Sequence, residues 1–207
     1  MDAYAAVTGV VLAGGKSRRL GRPKALEHVG GQALIARVCR RLAQVCEGLV
    51  VVVAADTDVA ALALPPGTQV VRDLYPDSGS LGGIYSGLEA ARHPWALAVA
   101  CDMPFLSVPL LRHLATLRPG HDVVAPVIGG FPEPTHALYA KACLGPMRER
   151  LEQRRLKITG FYDGVRVAYV TEEEARRHDP ELRSFMNTNT QEDLDRALAL
   201  AAAEPLA

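Results

Sequence analysis

The sequence predicts an α/β protein with three layers: a Rossmann-like, mainly parallel sheet covered by helices on both faces. Three observations predict it. Short runs rich in valine alternate along the chain with longer amphipathic stretches. The runs are almost continuously apolar, as expected of strands buried on both faces, rather than alternating apolar with polar. Their order, strand then helix then strand, builds a parallel sheet through right-handed crossovers.

Five runs are expected as strands, at residues 7–12, 49–55, 69–72, 95–101 and 122–127. Helices are expected between them at 31–46, 82–92, 108–117 and 141–154. In the first of these Leu34, Val38, Leu42 and Val45 recur at helical spacing and form one apolar stripe. Residues 166–170 read as a further strand, whereas 171–181 are so charged that a solvated helix or a loop is expected. Thr190-Gln191-Glu192-Asp193 is a capping-box pattern that opens a last helix through Leu194, Leu198 and Ala202. Pro65-Pro66-Gly67 reads as a turn. No repeat or linker-like tract divides the chain, so residues 1–207 are expected to form a single domain.

Composition removes several function classes. Among 207 residues, 23 basic side chains balance 23 acidic ones, which argues against a general nucleic-acid binder or an acidic tail. Affinity for a polyanion must come from a local cluster. The four cysteines contain no CxxC pair and the six histidines complete no zinc spacing, so reduced buried thiols are expected. The apolar stretch at 5–13 precedes basic residues instead of following them, the reverse of secretory order. No apolar run approaches the length of a membrane span. A soluble cytoplasmic protein, with no nucleic-acid or membrane partner, is the expectation.

In open α/β sheets ligands lie beyond the carboxyl ends of the strands, so the segments that follow each strand carry the functional reading. The first strand runs into Ala13-Gly14-Gly15-Lys16-Ser17-Arg18-Arg19-Leu20-Gly21-Arg22-Pro23-Lys24. Glycines there let the backbone approach a ligand and offer its N–H groups. Five cations fall within nine residues of a chain with no net charge. Backbone donors and clustered Arg and Lys suit a triphosphate; the bland alternative is a solvated surface turn. A P-loop needs GxxxxGK[ST], and Val10 occupies its first glycine position. The GxGxxG spacing of dinucleotide-binding folds is also absent.

Asp102 follows the strand at 95–101 and precedes Met103-Pro104. A carboxylate there is a hard oxygen donor suited to Mg2+ shared with phosphate oxygens. Capping the helix at 108–117 is the alternative, but Ser107 is better placed for that. Asp73 follows the strand at 69–72 and precedes Gly79-Ser80-Leu81-Gly82-Gly83. Its carboxylate could accept two N–H bonds from a guanine edge or bond ribose hydroxyls, or it is an ordinary turn residue. Asn187 and Asn189, two apart, share a face if the segment is extended; a turn and N-cap ahead of the last helix is the other reading. Gly129–Pro134 forms another loop rich in glycine and proline after a strand, which could shape a substrate pocket, with His136 nearby as a structural or surface residue. Arg154, Arg155 and Lys157 could meet a substrate phosphate, or they form a solvated basic helix end, the reading preferred here.

Residues 12–24 match, at every defined position, the LAGGxSxRxGxxK pattern of nucleotidyltransferases that activate sugars and cofactors. Together with Asp73, Gly79–Gly83, Asp102-Met103-Pro104, Asn187-Thr188-Asn189-Thr190 and Glu192-Asp193-Leu194, the chain resembles the molybdenum cofactor guanylyltransferase family. Related cytidylyltransferases read LAAG, so Gly14 favours guanylyl transfer. The chain departs from the family at Ser80, where proline is usual, and at Ala54 or Ala55, where an asparagine contacts nucleotide.

The resemblance implies a nucleotide-diphospho-sugar transferase type of fold and GTP bound by Leu12, Ala13, Gly14, Gly15, Lys24, Asp73, Gly82 and Asp102. It implies catalytic roles for Arg19, Lys24 and Asp102, with Mg2+ on Asp102. Asn187 and Asn189 would contact the pterin substrate or help organise the metal site. It further implies Mo-molybdopterin as acceptor, with proteins that deliver it and molybdoenzymes that receive the product. A CTP-using or other-acceptor transferase, a non-catalytic GTP-binding domain and a P-loop NTPase are the competing expectations.

Overall fold

A computed structural model describes residues 6–15 and 24–203. In chain order its strands are β1 (Val7–Leu12), β2 (His28–Val29), β3 (Gln32–Ala33), β4 (Leu49–Val53), β5 (Gln69–Arg72), β6 (Trp95–Ala100), β7 (Val123–Ile128), β8 (Phe131–Pro132), β9 (His136–Ala140) and β10 (Val167–Val170). The helices are α1 (Leu34–Leu42), α2 (Gly79–Ala90), α3 (Val108–Thr116), α4 (Leu144–Glu152), α5 (Glu172–Arg176) and α6 (Gln191–Ala202). The main sheet runs β10-β7-β9-β6-β1-β4-β5, with β8 paired to β7. β1 pairs in parallel with both β4 and β6. The chain moves outward from β1 to β5 and then returns across it to β6. The β1/β6 boundary is therefore the point where strand order reverses, which in open α/β sheets is where the ligand crevice lies, at the carboxyl edge.

The apolar strand runs bury both faces. One layer packs α1, α3 and α5 on the sheet through Ile35, Val38, Leu42, Leu110, Leu114 and Ala175. The other packs α2 and α4 through Leu81, Ile84, Leu88, Met147 and Leu151. A smaller cluster seats α6 by Leu194 and Ala197 against Val29, Leu34 and Phe105. In α2, a Cβ on Gly87 would collide with Val10 Cγ1, and one on Gly83 would lie 3.2 Å from Leu12 Cδ2. Those two glycines set α2 close against β1.

The sequence expectations hold for most elements, and the exceptions have physical causes. The helix expected at 31–46 starts only at Leu34, because Gly30 and Gly31 adopt φ of 59° and 74° and make a hairpin turn between β2 and β3. The helix expected from Gly82 begins at Gly79, and that expected at 141–154 begins as a 3-10 turn at Lys141–Cys143. The charged segment at 171–181 holds only the five-residue α5. β9 was not anticipated. It inserts antiparallel between β6 and β7, so the sheet is mixed rather than wholly parallel. Among the described residues no helix is long and apolar enough to cross a membrane.

Candidate active site

Three segments distant in sequence converge at the β1/β6 crevice. β1 delivers Leu12 and Ala13, and the ladder continues past the strand as Ala13 N donates to Val52 O at 2.8 Å and Cys101 N to Leu12 O at 3.1 Å. Gly14 follows. A Cβ there would stand 3.4 Å from Ala54 N, against the β4 chain, whereas one on Gly15 would meet nothing within 4 Å among the described residues. Lys24 opens the 3-10 turn at Lys24–Leu26 and sends its side chain back over the crevice. Arg19, with the rest of 16–23, lies outside the described residues.

Asp102 follows β6, and its turn is held from both sides. Thr188 N and Oγ1 donate to the Asp102 carbonyl oxygen at 3.0 and 3.2 Å, and Arg37 Nε donates to Pro104 O at 2.8 Å. The helix after it is capped by Ser107, whose Oγ accepts from Leu110 N, which leaves the Asp102 carboxylate out of capping. Lys24 Nζ donates to Asp102 Oδ2 at 3.0 Å and also to Asn189 Oδ1. Two oxygens, one from the middle of the chain and one from near its C-terminal end, thus face one point occupied by a cation. The site holds no thiol nucleophile: burial, and then the Asp102 carboxylate, push the neighbouring Cys101 up to about 12.

Asn189 is positioned by the capping box of α6. Asp193 Oδ2 accepts from Asn189 N and Thr190 N, each at 2.9 Å, while Thr190 Oγ1 accepts from Asp193 N at 3.1 Å. The hydrogen bond from Thr190 holds the Asp193 carboxyl below its ordinary range. Asn187, two residues earlier, donates from Nδ2 to Phe185 O at 3.4 Å and makes no contact with Lys24. The pair therefore divides, with Asn189 in the Lys24 cluster and Asn187 beside it.

Asp73 lies on the other flank, past β5. Its Oδ1 accepts from Tyr75 N at 2.9 Å and faces Ser86 Oγ at 3.0 Å. Gly82 underlies this loop: a Cβ on it would meet Tyr75 O at 2.8 Å and Asp73 Oδ1 at 3.1 Å. Here the glycine serves the packing of α2 against the Asp73 turn. His136 is fully buried, with its ring 4.8 Å from Phe185 and both ring nitrogens without a hydrogen-bond partner among the described residues. Burial lowers its pKa to about 4.

Sequence reasoning missed Thr188, Ser86 and Arg37 as supports, and it saw Asp193 only as a cap. The Asn-Thr-Asn-Thr run held the clue for Thr188, whose neighbours on both sides were already singled out. Ser86 and Arg37 had no local signal.

Residues 9–165 match the family model of the MobA-like NTP transferase domain. The chain belongs to that family. It is 40% identical over 194 residues to a probable molybdenum cofactor guanylyltransferase of Pelotomaculum thermopropionicum, covering 94% of this chain and 93% of that one. It is 38% identical to a molybdenum cofactor guanylyltransferase of Desulfosudis oleivorans, with 94% and 95% covered. Among solved structures it is similar to molybdopterin-guanine dinucleotide biosynthesis protein A of Archaeoglobus fulgidus, with a TM-score of 0.82, 29% identity, and 95% and 100% coverage. A 2-C-methyl-D-erythritol 4-phosphate cytidylyltransferase of Thermus thermophilus, 20% identical with a TM-score of 0.66, shares the fold. The α/β architecture is thus that of the nucleotidyltransferases.

Proposed function

We propose that this protein is a molybdenum cofactor guanylyltransferase that moves GMP from GTP to the terminal phosphate of Mo-molybdopterin. An acceptor phosphate oxygen attacks the α-phosphorus, the bond to the bridging oxygen of the β-phosphate breaks, and pyrophosphate leaves with molybdopterin guanine dinucleotide as product. A phosphate monoester is already anionic near neutral pH, so no protein base is required. The enzyme must instead bring two anions together and stabilise the leaving group, by positioning and by fixed charge. The convergence of Lys24, Asp102 and Asn189 on one point is the observation that carries this reading.

These roles, implied by the family resemblance, are compatible with the arrangement described. The backbone of Leu12, Ala13, Gly14 and Gly15 receives the nucleotide, and Lys24 neutralises its phosphates; Arg19, outside the described residues, is given the same task by the sequence pattern alone. Asp73 receives the base or ribose on the α2 side, above the turn packed on Gly82. Asn187 and Asn189 face the acceptor. The oxygen donors of Asp102 and Asn189 fit Mg2+, which needs only one or two carboxylates besides phosphates and water. Bound there, Mg2+ would neutralise charge on the phosphates during transfer.

The test is incubation with Mo-molybdopterin, GTP and Mg2+, following pyrophosphate and dinucleotide together. Equal use of CTP, or release of phosphate instead of pyrophosphate, would overturn the assignment.

A further inference from the structure

Across the β1/β6 crevice from Asp73, the sheet edge formed by β6, β9 and β7 carries a carboxylate that the preceding reading leaves unused. Glu133 follows the β7–β8 hairpin, and its backbone is fixed at every turn. Its N–H donates to Pro126 O at 2.8 Å, its carbonyl accepts from His136 N at 3.0 Å, and Ala100 N donates to Thr135 O at 3.1 Å. The buried Tyr139 hydroxyl donates to Pro134 O at 2.6 Å. The side chain, by contrast, has no hydrogen-bond or ion-pair partner among the described residues, and burial alone raises its pKa. A half-buried carboxylate on so rigid a backbone is a pre-positioned acceptor for a ligand's donors.

The register says what stands beside it. Phe131 lies opposite Ile128, and the pairing continues to Glu133 opposite Pro126. Residues two apart on a strand share a face, so Phe131 and Glu133 lie together. Ile128 packs on the core layer that holds Val99 and Leu138, the same layer that Phe185 joins. Phe131 and Glu133 are therefore on the side of the sheet from which the segment leading to Asn187 and Asn189 enters. Phe131, paired with the last residue of β7 at the carboxyl edge of the sheet, is 75% exposed, an unusual condition for an aromatic ring.

We propose that Glu133 selects the heterocycle of the acceptor: its carboxylate accepts the ring N–H and the adjacent exocyclic amine of a 2-amino-4-oxo pyrimidine edge, while Phe131 covers the ring face. Two parallel donors match one carboxylate, and a flat ring matches an exposed aromatic surface. The inference rests on the proposed acceptor being a pterin, and it assigns that ring to Glu133 rather than to the asparagines.

The experiment compares the wild type with Glu133→Gln and Glu133→Ala. Binding of free pterin and of lumazine, its 2-oxo counterpart, is measured by calorimetry and by competition during turnover. In the wild type pterin should bind better than lumazine. Glu133→Ala should weaken pterin by about 10- to 100-fold, the loss expected of charge-assisted hydrogen bonds, with GTP affinity unchanged. Glu133→Gln should reverse the preference, because its amide donates to the 2-oxo group. Equal weakening of both ligands, parallel loss of GTP affinity, or an unaltered preference would overturn the proposal. If the wild type makes no dinucleotide, the guanylyl-transfer reading fails, while direct binding of the two rings still judges Glu133.

Discussion

Lys24 and Asp102 stand 78 residues apart in sequence and 3.0 Å apart in space, with side chains only 16% and 15% exposed. So shielded a pair interacts more strongly than a surface ion pair, and it holds both groups ready at the crevice. The two halves have different duties. Asp102→Ala should lower the turnover number by about 10²- to 10³-fold, the loss typical of one preorganised electrostatic group. Lys24→Ala should chiefly raise KM for GTP, because it removes a phosphate-neutralising charge. Steady-state kinetics with GTP varied at fixed acceptor separates the two. Near-normal turnover in Asp102→Ala would remove this carboxylate from the chemistry.

Asp193 ties α6 to the same cluster. Its carboxylate accepts from Asn189 N and Thr190 N, and Asn189 meets Lys24. Asp193→Ala should cost about 1 kcal/mol of stability, the usual worth of a cap. It should also lower turnover, since Asn189 loses the bond that sets its direction. The carboxyl is held below its ordinary range, so its contribution is present at neutral pH and fades as pH falls through that lowered value. Denaturant unfolding at pH 7 and under acid conditions, beside kinetics, checks both parts. A stability loss with unchanged turnover would confine Asp193 to capping.

These two relationships mark where the sequence was legible. Val7–Leu12, Leu49–Val53 and the start of α6 agree with expectation because buried valine runs and a capping box are local signals. Asp102 was legible for the same reason, as a carboxylate at a strand end ahead of a proline. β9 was not, because His136-Ala-Leu-Tyr-Ala has no valine run and owes its extended form to neighbours on both sides. The bond from Lys24 to Asn189 spans 165 residues, and only the fold brings its ends together. The loop at Gly129–Pro134 was legible from its glycines and prolines, but Glu133 was not singled out within it, because a half-buried carboxylate without a partner among the described residues is a property of the packed state.

The close approach of α2 to β1 gives a purely structural prediction. Gly87 lies on Val10, with no room for a methyl group. Gly87→Ala should force α2 away from the sheet and destabilise the fold by about 1–3 kcal/mol, as overpacked cores do. Because α2 also carries Ser86 and Gly82 beneath Asp73, GTP affinity should fall with stability. Urea unfolding and calorimetric titration with GTP test this. An unchanged midpoint would mean that the helix can shift at little cost.

His136 offers the opposite case, a substitution that should stabilise. Its imidazole is fully buried against Phe185 with neither nitrogen bonded among the described residues, and burial lowers its pKa to about 4. Replacing it with leucine removes the unsatisfied polar atoms and should add about 1–3 kcal/mol at pH 7. The pH dependence has a definite sign. Between about 6.5, the ordinary histidine value, and about 4, the unfolded chain binds a proton that the folded chain excludes. Wild-type stability should therefore decline as pH falls through that window, by about 2 kcal/mol from pH 7 to pH 5 on account of this group. His136→Leu lacks the titrating ring, so its advantage should widen as the solution is acidified. Urea unfolding of both proteins at pH 7, 6 and 5 measures the difference, and parallel pH profiles would show that His136 takes up its proton as readily folded as unfolded.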